Sequence, residues 1–247
     1  MQSVTDFYQD HRGPVISQEL TIKNGLKSAC ARDQAQYFSL ANQGQTDHDW
    51  QTLLKTATKV QLTTKKPVMV HVRAKDIQPG QVASTFHHLL DLELNNFLLV
   101  TGDKRTDSNG FSSAQDLLVA TGQTGLAELS LATTLDVNQV ANHGVAWVVN
   151  QALAKERAGA KVLISQIFFD VDNFLAVQEG LKMAGSDLIL VAGVLHYPSQ
   201  NQLDWVQRVL RLTVPDDWRK NPDLASARLV ADLTDGQAAG IHYFANF

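Results

Sequence analysis

The sequence predicts an α/β chain of the (β/α)8, or TIM-barrel, class, and three observations carry the prediction. Eight short apolar runs are spread along its 247 residues. Helix-period segments separate many of them. The runs are apolar on both faces, a pattern that belongs to parallel strands covered by helices. A doubly wound open sheet is the structural alternative. No Gly-x-Gly-x-x-Gly follows any of the runs, which argues against its dinucleotide-binding form. Without a repeat, a linker or a low-complexity stretch, residues 1–247 read as one domain.

The candidate strands are residues 15–20, 36–41, 67–72, 97–103, 126–132, 161–167, 187–193 and 241–244. Each is rich in Val, Ile, Leu or Phe and is of strand length. Helical patterns fill residues 79–94, where Val82, Phe86, Leu89, Leu90 and Leu94 recur on one side, and residues 140–158, with Val145, Val148, Val149, Ala152 and Leu153. Further patterns cover residues 171–184, 202–212 and 224–238. Gly159, Gly185 and Gly240 fall between a helix and the next strand, where a C-cap is expected.

Composition narrows the function. Apolar residues make up 44% and charged residues 19%, enough for a sizeable core and against a disordered chain. A net charge of −4 lacks the basic field of a nucleic-acid binder. The apolar runs are far too short to span a bilayer, so no membrane association is expected. The first residues carry no signal-peptide pattern, and a cytoplasmic protein is the expectation. A single cysteine, Cys30, excludes an internal disulfide and a thiolate zinc cluster. The eight histidines show no His-Glu-x-x-His spacing, so no metal site is expected.

In a barrel, chemistry sits at the carboxyl ends of the strands. The polar residues that end these runs are Glu19, His71, Asp103 and Gln166. One such residue is commonly a turn or cap residue. Four at equivalent places suit a site that handles protons and amide-like heterocycles. A carboxylate accepts two N–H donors from a fused pyrimidine, a buried acid donates a proton, and a glutamine amide does both.

Other residues then add a resemblance. Ala158-Gly159-Ala160 followed by Ser165-Gln166-Ile167-Phe168-Phe169-Asp170 resembles a signature of methylenetetrahydrofolate reductases. Ser17-Gln18-Glu19, His71-Val72, Gly102-Asp103, Gly193-Val194-Leu195 and residues 240–244 resemble further family segments in the same order. The resemblance implies a barrel that reduces 5,10-methylenetetrahydrofolate to 5-methyltetrahydrofolate, with FAD and NAD(P)H as donor. It implies Glu19 and Asp103 as catalytic residues, with Asp103, Gln166 and Gln202 on the folate and His71, Gly102 and Lys155 on the flavin.

The departures lie on the flavin side. The family's Arg before Gly-Asp is Thr101, its strand-two Thr is Ala41, its Tyr after strand four is Ser113, and residues 134–140 replace its Tyr-Pro-Glu-Val-His-Pro-Glu stretch. Each lost charge-assisted bond is worth roughly 1.5–3 kcal/mol. Lys104 or Arg105 could compensate, and the loop from Lys104 to Ser113 could close over a ligand. Three readings follow: an FAD-dependent reductase, a flavin-free tetrahydrofolate enzyme on the same barrel, and a non-catalytic partner subunit. The family's last helix has no counterpart before Phe247. Its absence predicts a bare apolar face on the first and last strands, covered by a second copy or a partner protein.

Overall fold

The computed structural model describes residues 2–10, 13–23, 25–31, 34–44, 46–103 and 109–245. Lys104, Arg105 and most of the loop they open lie outside these residues. Eight parallel strands close into a barrel in the order β1 to β8, with β8 pairing back onto β1. They are β1 Val15–Leu20, β2 Tyr37–Leu40, β3 Val68–Arg73, β4 Asn96–Val100, β5 Ser130–Leu135, β6 Val162–Ser165, β7 Ile189–Val194 and β8 Gly240–Tyr243. The helices are α1 Val4–Asp10, α2 Gly25–Cys30, α3 Asp47–Thr64, α4 Val82–Asp91, α5 Ala114–Gly122, α6 Val140–His143, α7 Val145–Arg157, α8 Val171–Met183, α9 Gln200–Trp205, α10 Asp216–Lys220 and α11 Pro222–Asp235. None is long and apolar enough to cross a membrane among the described residues.

Strand alternation divides the core in two. One face of the strands, with Phe38, Leu40, Val70, Val72, Phe97 and Leu99, packs under the helices. The other face, with Val15, Tyr37, Met69, Leu98, Val162 and Val191, fills the barrel interior. Side chains two apart share a face. Ser17 and Glu19 therefore follow Val15 inward, Ser39 follows Tyr37, and His71 and Arg73 follow Met69. The interior is apolar at the amino end and turns polar toward the mouth.

Helix α1 plugs the amino end. Val4 is fully buried in the interior cluster, and its N–H donates to Asn96 Oδ1 at 2.7 Å. Tyr8 meets Tyr37 hydroxyl to hydroxyl at 2.8 Å, and Phe7 stacks on the Tyr37 ring. Gly240 begins β8 rather than capping a helix. A Cβ there would approach Tyr8 Cε1 and the Val15 carbonyl to 2.8 Å, so glycine makes room for the plug. Gly159 and Gly185, with φ of 110° and 68°, do follow α7 and α8 as expected.

Several elements differ from the sequence reading, which has no counterpart for α1, α2, α5 or α10. The fifth strand runs over Ser130–Leu135, not residues 126–132, because the turn from α5 occupies the earlier segment. The helix expected over 140–158 is broken at Gly144, whose φ of 80° ends α6. Helix α3, the longest, has no counterpart in that reading, although Leu53, Leu54, Ala57 and Val60 form a buried stripe. The expected bare face on β1 and β8 is also absent. Gln18, Leu20 and Ile241 are buried there, while Ile16 and Tyr243 are half-buried.

Candidate functional site

The mouth is built most fully between β1, β3 and β8. Glu19 lies near the end of β1 with its side chain only 11% exposed. One carboxyl oxygen accepts the Ala245 N–H at 3.3 Å, just beyond β8. The other lies 3.8 Å from His71 Nε2. Burial disfavours the carboxylate and pushes its pKa up to about 7, partly opposed by the Ala245 bond. Burial acts on His71 with the opposite sign and brings it down to about 4. Near neutral pH the pair is a carboxylic acid in exchange with its carboxylate beside an uncharged imidazole. It is not an ion pair, because neither site is wet enough to hold full charge cheaply. His71 Nε2 also bonds Ser39 Oγ at 3.2 Å.

One level away, His242 is fully buried, and its Nδ1 meets Ser17 Oγ at 2.8 Å. Burial, with His71 nearby, holds its pKa down at about 3. Phe244 lies edge-on to it with ring centroids 5.3 Å apart. Arg73 ends β3 and is clamped by Asp76, whose Oδ2 accepts from both Nε and a terminal guanidinium nitrogen at 2.6 Å. Gly102 lies against this arginine: a Cβ there would come within 3.0–3.3 Å of its stem. Ser17, Ser39, Arg73 and His242 were not singled out from sequence. For Ser17, Ser39 and Arg73 the signal was strand parity, since each sits an even number of residues from Val15, Tyr37 or Met69 of the interior.

The remaining predicted residues are placed differently. Asp103 is exposed just beyond β4. Gln166 follows β6, with its N–H on the Leu135 carbonyl and its Oε1 turned back onto the Ile167 N–H at 2.9 Å. Its amide NH2 is the end left to address a ligand. The rest of that signature is structural. Phe168 stacks on Phe174, Phe169 packs edge-on to Trp218, and Asp170 caps α8 through the Asp172 N–H. Gln202 is buried in the capping box of α9, where its Oε1 accepts from Ser199 N–H and Oγ. The structure thus gives Gln202 a structural duty that the sequence did not suggest.

The residues implied for a flavin are each engaged by protein groups. Lys155 gives its ammonium to the Thr134 carbonyl at 2.6 Å, and Asp136 lies close enough to act on its charge. That carboxylate would repel a diphosphate. The Gly102 carbonyl accepts from Lys75 Nζ at 3.0 Å, and His71 is committed beneath Glu19. Thr101, at the place of the family arginine, uses its hydroxyl to cap the start of α5 at Ala114. These residues do not fit FAD held in the manner the resemblance implies. Outside the mouth, a cavity of about 320 Å³ opens between α3 and α4, lined by Trp50, Asp76, Ile77, Gln81, Thr85 and His88 among others. It contains none of the predicted site residues.

Comparison with known proteins agrees with the barrel. An uncharacterized protein from Clostridium thermocellum that binds two copies of 5-methyl-5,6,7,8-tetrahydrofolic acid superposes with a TM-score of 0.72 at 9% identity, over 99% of this chain and 93% of its own. A 2,3-dimethylmalate lyase of the PEP mutase/isocitrate lyase superfamily reaches 0.63 at 13% identity, over 98% and 81%. Oxaloacetate acetylhydrolase in complex with 3,3-difluorooxalacetate reaches 0.63 at 12%, over 98% and 78%. At these identities the likeness shows the fold alone. The family model for methylenetetrahydrofolate reductase matches residues 31–228, most of the chain, and the protein therefore belongs to the methylenetetrahydrofolate reductase family.

Proposed function

We propose that the chain is a tetrahydrofolate-binding one-carbon oxidoreductase that reduces 5,10-methylenetetrahydrofolate to 5-methyltetrahydrofolate, with Glu19 as proton donor. The observation that carries this reading is the buried carboxyl of Glu19 at the mouth, poised near neutrality beside an uncharged His71. Family membership and the methyltetrahydrofolate bound by the Clostridium thermocellum protein support the ligand class.

In this reading Glu19 gives its proton to the bridging nitrogen N10. The carbon–nitrogen bond opens and leaves an iminium at N5. Hydride added to the methylene carbon completes the methyl group. A general acid works best with a pKa near the working pH, which burial of Glu19 supplies. The exposed Asp103 and the amide NH2 of Gln166 orient the pterin through its N–H and carbonyl edge. A dihydronicotinamide supplies the hydride directly, because the residues expected to hold FAD are engaged with protein groups.

The test is conversion of 5,10-methylenetetrahydrofolate by the purified protein with NADH or NADPH, with and without added FAD. Methyl product formed without flavin, lost in Glu19→Gln while folate still binds, is the expected result. No folate binding at all would end the reading. Yellow protein whose turnover requires FAD would restore the flavin-dependent alternative.

A further inference from the structure

Among the eight strands only β3 carries a lysine or arginine, and it is Arg73, the last residue of that strand. Arg73 shares the inward face of β3 with Met69 and His71. It stands two residues, about 6.6 Å of strand, beyond the histidine that touches Glu19. The arginine therefore opens onto the same mouth as the acid, and the proposed reaction gives it no part.

Its guanidinium is engaged on one edge. Asp76 Oδ2 lies 2.6 Å from Nε and 2.6 Å from Nη2, so a single oxygen takes the side edge. A guanidinium has five N–H groups in a fixed plane. Asp76 uses two, and those left include one on Nη1 and one on Nη2 that run parallel off the end of the side chain. That end-on fork matches two oxygens of a carboxylate or phosphate. No other group among the described residues bonds it. Neither terminal nitrogen is sealed from solvent, unlike the partnerless Gln18 Oε1, Gln178 Oε1 and His242 Nε2. The side chain as a whole is only 10% exposed, so the fork is an open edge on a buried group.

The fork is also held in place. Gly102, with φ of 82°, lies along the stem, where a Cβ would come within 3.0–3.3 Å of Arg73 Cβ, Cγ and Cδ. Asp76 fixes the plane from the other side. A fork already set in one orientation loses little freedom when a ligand arrives. Net charge is not what draws that ligand. Arg73 and Lys75 stand against Asp76 and Asp103 on this edge, two cations against two acids. Recognition rests on the planar pair of donors, which suits an oxyanion presenting two oxygens better than a point charge.

We propose that the end-on fork of Arg73 is an oxyanion-binding site of the mouth, which takes a phosphate or carboxylate group of a bound reactant. In the proposed reaction the two sources are the diphosphate of the dinucleotide donor and the glutamate carboxylates of the folate. The inference rests on that reaction for these sources and not for the fork, which pyrophosphate tests alone. Side-chain 15N NMR of the wild type should show the Arg73 Nη signals shifted by pyrophosphate and not by chloride at equal ionic strength. Equilibrium titrations then pair NADH with dihydronicotinamide riboside, which has no phosphate, and 5-methyltetrahydrofolate with 6-methyltetrahydropterin, which has no glutamate. Arg73→Lys keeps the charge and loses the fork. Its affinity for one anionic ligand should fall about tenfold or more, while the counterpart without the anion changes less than about twofold. A fall for NADH assigns the fork to phosphate, and a fall for the folate assigns it to carboxylate. Arg73 signals indifferent to pyrophosphate would overturn the inference. So would unchanged affinity for both anionic ligands, or equal losses with and without the anion, which a purely structural arginine would give. The NMR titration needs no variant and covers the case in which Arg73→Lys fails to fold. Absence of methyl product alongside shifted Arg73 signals would count against the reaction and not against the fork.

Discussion

The mouth has two unlike halves. Around β1, β3 and β8 the polar groups are buried and few, and beside the Arg73–Asp76 pair the titrating ones, Glu19, His71 and His242, all have pKa values moved by burial toward their neutral forms. Around β4 and β5 the polar groups are more exposed, and several serve the protein itself. Asp103 is exposed, Lys155 holds the Thr134 carbonyl, and Asp136 caps the short turn at 137–139 and accepts from Gln139. The difference shows what burial adds. A carboxyl in water is ionised long before pH 7, whereas the same group buried beside a neutral imidazole keeps a proton it can give.

Removing the acid should break the comparison most sharply. Glu19→Gln keeps shape and hydrogen bonding but has no proton to donate, and turnover of methylenetetrahydrofolate should fall by roughly 10²–10⁴-fold. Lys155→Ala, in the other half, should change folate affinity less than about twofold, as expected for a lysine that serves the protein. A comparable fall in both variants, measured by product formation and equilibrium binding, would erase the distinction.

Stability gives the next largest effect. Asp76→Ala strands the Arg73 guanidinium at 10% exposure without its carboxylate, and unfolding in urea should show a loss of about 3 kcal/mol. The pH dependence separates the halves further. Glu19 has its pKa raised in the fold, so its contribution is fully present below about 4.5 and is lost as pH climbs through 7. That loss is on the order of 3 kcal/mol. His71 and His242 have theirs lowered, so their contribution is present above 6.5 and lost as pH falls toward 4 and 3. Urea midpoints should therefore drop on the acid side in the wild type, less steeply in His242→Gln. The decline between about pH 4.5 and 7 should flatten in Glu19→Gln. Identical pH profiles for all three proteins would mean that these groups are solvated.

The smallest effect concerns the glycine between the halves. Gly102→Ala meets both a φ of 82° and the Arg73 stem, and should cost about 1–2 kcal/mol without altering the Glu19 midpoint.

Much of this architecture was legible in the chain. Continuous apolar runs of strand length such as residues 97–100 suit covered strands, and the polar residue at a strand end points to the mouth before any coordinates exist. Glu19 and His71 were found that way. The partners that tune them were not. Ser17, Ser39 and His242 stand in strands where a lone polar residue looks like noise, and only closure of β8 onto β1 brings Ser17 and His242 together across 225 residues. Gln202 shows a duty of another kind. The resemblance implies a folate contact for it, while Ser199 three residues earlier spells a capping box. Helix α3 escaped notice because its exposed side is rich in Thr, Gln and Lys, and its buried stripe is narrow.

The account stands on a proton held by one carboxyl at neutral pH. Infrared titration of Glu19, assigned by difference against Glu19→Gln, measures it without substrate. A protonated carboxyl band that disappears with a midpoint near 7 is the predicted result. A midpoint near the ordinary glutamate value of about 4.3 would contradict it.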